Sequence, residues 1–269
     1  MFIHNFDPVL IDLGLLKIRW YSIAYILGIL AGWIYAVKII KITTINYNNF
    51  DQIKKSNFDD LIIYLVIGIV LGGRCGYIIF YNFEYYSQNF LEIFKIWHGG
   101  MSFHGGLLGV IISIFFYSKK TNTNFFKYSD IISCVAPIGI FLGRMSNFIN
   151  GELYGKISTL PWAVIFPNDG PTPRHPSQIY EAILEGLILF IIINYFALKK
   201  NLLLKPGYVS GLFLIFYSIL RIFVEIFREP DAHLGLLFNY FSLGVLLSIV
   251  SLIVGLLIIL SINKNEKNN

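Results

Sequence analysis

Gly143-Arg144-Met145-Ser146-Asn147-Phe148-Ile149-Asn150-Gly151-Glu152-Leu153-Tyr154-Gly155 is the stretch on which the reading of this chain turns. It closes an apolar run, Ile131 to Leu142, of the kind that forms the body of a membrane helix. Thirteen residues then supply a guanidinium, two carboxamides, a carboxylate, a phenol and three glycines. A helix leaving a bilayer needs a few polar anchors, but not this many different ones. Arg144 lies near the end of the run, with Asn147 three residues on along the same helical face. The pairing reads as a ligand site.

Composition sets the class around that site. The chain has 269 residues, 56% hydrophobic and 14% charged, with mean hydropathy +0.66. A soluble domain of this length carries roughly 25% charged residues. Seven runs approach the ~20 residues that cross a hydrocarbon core: Tyr21–Ile42, Leu61–Tyr81, Gly99–Tyr117, Ser129–Asn150, Ser177–Leu198, Tyr208–Arg228 and Phe238–Ile262. The expected fold is therefore an all-α polytopic membrane protein of about seven transmembrane helices. One domain is expected over 1–269, with a small extracytoplasmic segment around 151–176. Residues 1–20 are too irregular to span and are expected along the interface, with Trp20 and Tyr21 at headgroup level. They hold Asp7, Pro8, Asp12, Lys17 and Arg19 and lack the pattern of a cleavable signal peptide. Cys75 and Cys134 fall inside apolar runs and read as small buried hydrophobes.

Basic residues orient the spans. The loops after spans one, three and five and the C-terminal tail hold twelve: Lys38, Lys41, Lys54, Lys55, Lys119, Lys120, Lys127, Lys199, Lys200, Lys205, Lys264 and Lys267. The opposite side holds five, Lys17, Arg19, Lys95, Lys156 and Arg174. The positive-inside rule puts the C-terminus in the cytoplasm and the N-terminus outside. Arg74, Arg144, Arg221 and Arg228 then fall in the outer half of the membrane, as do His104, Glu181 and Glu185. Intramembrane charges cost a few kcal/mol each and need a polar interior or a function. A shared depth points to one polar cavity open to the outer leaflet.

Arg144, Arg221 and Arg228 read as an anion site, because the planar guanidinium fork donates two parallel hydrogen bonds to phosphate. A phosphate at that depth is most simply a phospholipid headgroup. Arg221, Glu225 and Arg228 share a helix face, so an internal Arg221–Glu225 pair with Arg228 snorkelling to the surface is the competing reading. The glycines of His98-Gly99-Gly100-Met101-Ser102-Phe103-His104-Gly105-Gly106-Leu107-Leu108-Gly109 allow close approach by either a neighbouring helix or a substrate. His104 titrates near neutrality when unperturbed and is the candidate general base; His98 reads as interfacial. Ser177 is the expected N-cap of the fifth span. Arg174 and His175 either bind at the outer surface or belong to a solvated loop. The chain lacks zinc-hydrolase, serine-hydrolase and phosphate-loop motifs and has no Cys/His pattern at metal spacing. Neither a metal nor a cofactor is expected. A transporter would carry similar arginines, but no repeat relates the two halves.

Four motifs, in order, carry a resemblance. They are His104-Gly105-Gly106-Leu107-x-Gly109, Gly143-Arg144-x-x-Asn147-Phe148-Ile149-Asn150-Gly151-Glu152, Arg174-His175-Pro176-Ser177-Gln178-x-Tyr180-Glu181 and Arg221-x-x-x-Glu225-x-x-Arg228-x-Pro230-Asp231. Together they resemble the prolipoprotein diacylglyceryl transferases of bacterial plasma membranes, over nearly the whole chain from Phe6-Asp7-Pro8-Val9. The resemblance implies seven helices with the N-terminus outside, and transfer of a diacylglyceryl group from phosphatidylglycerol to the lipobox cysteine of a prolipoprotein. A thioether forms and glycerol-1-phosphate leaves, beginning lipoprotein maturation. The implied partners are these two substrates and the inner-membrane bilayer, with no nucleic acid, and the active site faces the outer leaflet. The family's important positions fall on Tyr21, His104, Arg144, Asn147, Glu152, Gly155, Tyr217, Arg221, Glu225 and Arg228. His104, Arg144, Arg221 and Tyr21 are the implied catalytic set, and the arginines with Asn147, Glu152, Gly155, Tyr217 and Glu225 the substrate-binding set. His98 departs from the Asp common in relatives, and the loop from Gly155 to Arg174 is compact.

Overall fold

A computed structural model describes residues 2–14, 17–46, 53, 55–95, 99–229 and 242–268. His98, Lys54, the Pro230-Asp231 end of the fourth motif and the Phe238 start of the last span lie outside the described residues. Helices dominate: α1 (Trp20–Asn46), α2 (Lys55–Tyr81), the short α3 (Phe83–Gln88), α4 (Phe103–Lys120) and α5 (Phe125–Ile149). The fifth span, Ser177–Lys199, is composite: α6 (Ser177–Glu181) and α7 (Leu189–Asn194) alternate with π-helical turns at Ala182–Ile188 and Tyr195–Lys199. Then come α8 (Tyr208–Glu225) and α9 (Leu243–Asn268).

Six of these are long and apolar enough to cross a membrane: Trp20–Ile45, Asn57–Tyr81, Phe125–Ile149, Ser177–Lys199, Tyr208–Glu225 and Leu243–Lys264. The expected third span is a helix but is not among the six. Gly99 and Gly100 take φ of +82° and +80°, and Ser102 caps the helix by accepting from the Gly105 N–H at 3.2 Å. Helix α4 thus starts at Phe103 and runs on to Lys119 and Lys120, where basic groups complement the helix dipole but dilute its apolar content. The all-helical expectation also missed short strands. Val9–Asp12 (β2) and Lys17–Arg19 (β3) form an antiparallel hairpin, and Phe2–Ile3 (β1), Val164–Ile165 (β4) and Pro173–Arg174 (β5) form a three-stranded sheet in the order β1-β4-β5.

The chain packs as two compact units, Met1–Ala36 with Asp130–Asn269, and Val37–Ser129. In the second unit α2 and α4 meet on glycines. A Cβ added at Gly68 would lie 2.6 Å from the Gly109 carbonyl, and one at Gly76 would lie 2.7 Å from Gly105 Cα. At Gly105 and Gly109 the glycine-rich motif therefore serves helix packing in the manner of small-residue membrane interfaces. In the first unit α8 and α9 meet similarly, with a Cβ at Gly255 placed 2.8 Å from the Gly211 carbonyl. Asp130, fully buried on α5, caps α8. Its carboxylate accepts the Gly207 and Ser210 N–H groups at 2.7 and 2.8 Å and the Ser210 hydroxyl at 2.6 Å.

Candidate active site

The first unit gathers charge where α5 ends, the fifth span begins and α8 ends. Arg144 reaches Glu181 through Nε at 2.7 Å and approaches Glu185 with Nη2 at 3.7 Å. Arg221 Nη1 lies 3.3 Å from both Glu181 and Glu185, and its Nη2 lies 2.9 Å from Glu225. Arg228 Nη1 reaches Glu181 at 3.2 Å. Glu181 is thus shared by three guanidiniums from two stretches of chain, α5 and the end of α8, and both Glu181 and Glu185 are fully buried. Two carboxylates four residues apart on a helix repel each other, and the arginines offset that repulsion. Glu185 sits in the π-helical turn, a distortion that recurs at functional sites. Glu225 is held from its other side by the Ser242 hydroxyl at 2.7 Å.

Three arginines thus face three carboxylates, so the cluster balances its own charge. The arginines are not equally enclosed. The side chain of Arg144 is 21% exposed, against 10% for Arg221 and 9% for Arg228. Arg144 Nη1 has no partner among the described residues, which leaves one edge of its fork open to an anion. The competing reading of Arg221 is half right: its pair with Glu225 exists, but so do its bonds across to the fifth span. Arg228 does not snorkel; it is buried on Glu181.

One turn along α5, amides surround Glu152. Its Oε1 accepts from Asn147 Nδ2 at 2.8 Å and Asn150 Nδ2 at 3.2 Å, and its main-chain carbonyl accepts from Gln178 Nε2 at 2.6 Å. Gly155 is there for space. A Cβ would lie 2.7 Å from His175 Cβ, and the residue pairs in β fashion with Arg228, tying the loop to the end of α8. Tyr217 stacks on Phe213 with ring centroids 5.9 Å apart, within electrostatic reach of Glu185, Arg221 and Arg144. Tyr21 packs on Tyr25, which feels both Arg144 and Glu152.

Arg174 and His175 belong to a clamp. Arg174 pairs with Asp169 through Nε and with Glu229 through Nη1 at 3.1 Å, and lies over the Tyr154 ring at 5.0 Å. The Tyr154 hydroxyl donates to Asp169 at 2.8 Å. That bond, then Arg174, holds the Asp169 carboxyl below its ordinary range. His175 Nδ1 lies 3.1 Å from the Tyr180 hydroxyl, and burial, with Lys156 nearby, holds its imidazole below the usual value.

The second unit holds the other two named groups. His104 stands in the first turn of α4. Arg74 is 3% exposed and donates to backbone carbonyls: Nε to Ile93 at 2.9 Å, Nη2 to Glu92 at 2.5 Å and Lys95 at 3.2 Å, and Nη1 to Gly100 at 3.3 Å and to Gly99. It serves its own loop, not an anion.

Reading the sequence for arginines understated their acidic partners. Glu181 stands in the sequence only as one of several polar groups at the outer side, while Ser242 and Gln178 carry no expectation of a site contact. Glu185, a second carboxylate one turn deeper in an apolar run, was the signal that pointed to the cluster.

This architecture and this buried charge cluster define a polytopic membrane protein with a polar site inside its helices. The family model described as prolipoprotein diacylglyceryl transferase matches residues 8–261. The phosphatidylglycerol–prolipoprotein diacylglyceryl transferase of Rickettsia felis is 49% identical over 251 residues, covering 93% of this chain and 95% of that protein. That of Rickettsia bellii is 48% identical over 257 residues, covering 95% of each chain. That of Rickettsia typhi is 46% identical over 263 residues, covering 98% of this chain and 99% of its own. The chain belongs to the prolipoprotein diacylglyceryl transferase family.

Proposed function

We infer that this chain moves the diacylglyceryl group of phosphatidylglycerol onto the thiol of a prolipoprotein's lipobox cysteine, the first step of lipoprotein maturation. Family membership over nearly its whole length supports the reaction. The observation that carries the site assignment is the partly open guanidinium of Arg144, backed by a cluster whose other charges are matched.

A cysteine thiol with pKa near ~8.5 is a weak nucleophile until a base takes its proton. His104 is assigned that base. The thiolate sulfur attacks the terminal carbon of the diacylglyceryl group. A carbon–sulfur bond forms, the carbon–oxygen bond to phosphate breaks, and glycerol-1-phosphate leaves with the electron pair. Arg144 and Arg221 hold the phosphate and offset the charge its leaving oxygen gains in a low-dielectric site. Glu181, Glu185 and Glu225 fix the guanidiniums in place, with Arg228 sharing Glu181. Asn147 and Glu152 line the headgroup side, Tyr217 and Tyr21 flank it, and Gly155 lets the loop close on α8. The reaction as assigned needs no metal or cofactor.

The lysine distribution supports an inner-membrane location with the N-terminus outside and the site opening to the outer leaflet. On that orientation residues 1–269 are read as one transferase domain, with residues around 151–176 as its extracytoplasmic segment. The test uses purified protein in detergent with phosphatidylglycerol and a lipobox peptide, following glycerol phosphate release and peptide mass together. Coupled release and diacylglyceryl mass gain are expected. Folded protein that yields neither overturns the assignment.

A further inference from the structure

Beyond the charge cluster, three buried oxygens have no partner among the described residues: the Ser218 hydroxyl on α8, and two amide oxygens that flank Glu152, Gln178 Oε1 and Asn150 Oδ1. Gln178 is fully buried. A buried acceptor without a donor loses the hydrogen bond it would make in water, so each calls for a reason. The orientation of the two amides is fixed, because both spend NH₂ groups on Glu152, Gln178 on its carbonyl and Asn150 on its carboxylate. The carbonyl oxygens are what remains to be used.

Their position follows from the helices. Arg144 and Glu181 meet at 2.7 Å across α5 and α6. Three residues on along α5 is Asn147, which holds Glu152; three residues back along α6 is Gln178, which holds Glu152 from the other side. The amide layer therefore lies one helical turn, about 5.4 Å, beyond the guanidinium–carboxylate layer. A phosphate on Arg144 would have a three-carbon headgroup reaching toward that layer.

Resting on the transferase reading, we propose that Gln178 and Asn150 select the lipid headgroup, their carbonyl oxygens accepting hydrogen bonds from the glycerol hydroxyls of phosphatidylglycerol. Such a subsite rejects a headgroup without hydroxyls, since the oxygens then stay buried and unpaired.

The test compares phosphatidylglycerol with phosphatidylpropanol, which keeps the phosphate and the three-carbon head but lacks both hydroxyls. Relative kcat/KM for the two lipids is measured in mixed micelles with the full-length protein and one lipobox peptide. A site built to bond a hydroxyl discriminates strongly against its absence, and the unmodified protein is expected to prefer phosphatidylglycerol by about a hundredfold or more. Gln178→Met should reduce the preference to within about tenfold. Asn150→Ala, at a half-buried position, gives the same reading if Gln178→Met does not fold. A preference unchanged in both Gln178→Met and Asn150→Ala overturns the subsite, as does an unmodified protein that uses the two lipids equally. Inactivity of the unmodified protein on both lipids overturns the transferase reading and the subsite with it.

Discussion

Arg74 on α2 and Arg144 on α5 are both arginines inside apolar helices, and the groups around them differ in kind. Arg74 spends Nε, Nη1 and Nη2 on neutral backbone carbonyls between Glu92 and Gly100, so its charge is solvated by the loop it organises. Arg144 is held by two carboxyl side chains on one edge, with an open nitrogen on the other. What separates them is the partner: carbonyl dipoles close around a guanidinium and leave nothing to bind, whereas carboxylates orient it and leave a face. The sequence expectation assigns four arginines to one cavity; the carbonyl partners of Arg74 give it a different task from Arg144.

Glu181→Gln attacks the comparison hardest. It keeps the shape and removes the charge that Arg144, Arg221 and Arg228 share. Breaking a buried pair by deleting one partner costs about 3–5 kcal/mol. Thermal unfolding in detergent should show that loss together with a collapse of transfer activity. Retention of both would mean that the carboxylates do not hold the site.

Arg144→Ala comes next and should divide stability from function. Losing one preorganised donor to a developing anion lowers the rate about 10²–10³-fold. The unfolding midpoint should fall less than in Glu181→Gln, because Arg221 and Arg228 still pair with Glu181 and Arg144 is the least enclosed of the three arginines. A large drop in midpoint with proportionate activity would place Arg144 beside Arg74 as a structural residue.

Arg74→Met should show the opposite pattern. Several carbonyls lose a charged donor worth about 1.5–3 kcal/mol each before relaxation, so the yield and midpoint should fall. The KM of the surviving protein for phosphatidylglycerol should stay within about twofold. A selective rise in KM would return Arg74 to the anion site.

The same contrast marks what the sequence makes legible. Helix number and extent follow from hydropathy, because a bilayer core demands ~20 apolar residues whatever the packing. Helix α4 and the fifth span diverge most, since a cap, terminal lysines and π-helical turns are local details that a run of apolar letters hides. The arginines stand out because charge is rare in apolar runs. Their partners are harder to see, since no spacing rule links Arg144 to Glu181 or Glu225 to Ser242. Gln178 is least visible: an amide at a helix start looks ordinary until its fold places it on the Glu152 carbonyl.

The smallest effect concerns the loop that carries Gly155. Asp169 titrates lower in the folded protein than in the unfolded chain, chiefly through the Tyr154 hydroxyl and then through Arg174. A depressed folded value means that the stabilisation is complete above the ordinary aspartate range, near ~4, and is lost as pH falls below it. His175 is also depressed, by burial and by Lys156, so its contribution is complete above ~6.5 and is lost earlier in the same descent. Hydrogen exchange in residues 151–176, followed from pH 7.5 to pH 3, should therefore lose protection in two acid steps. Asp169→Asn should abolish only the lower one. The stretch of α2 around Arg74 should show neither step, because the carbonyls that hold it do not titrate. A loop whose protection is flat with pH would show that the clamp contributes nothing to holding Gly155 against α8.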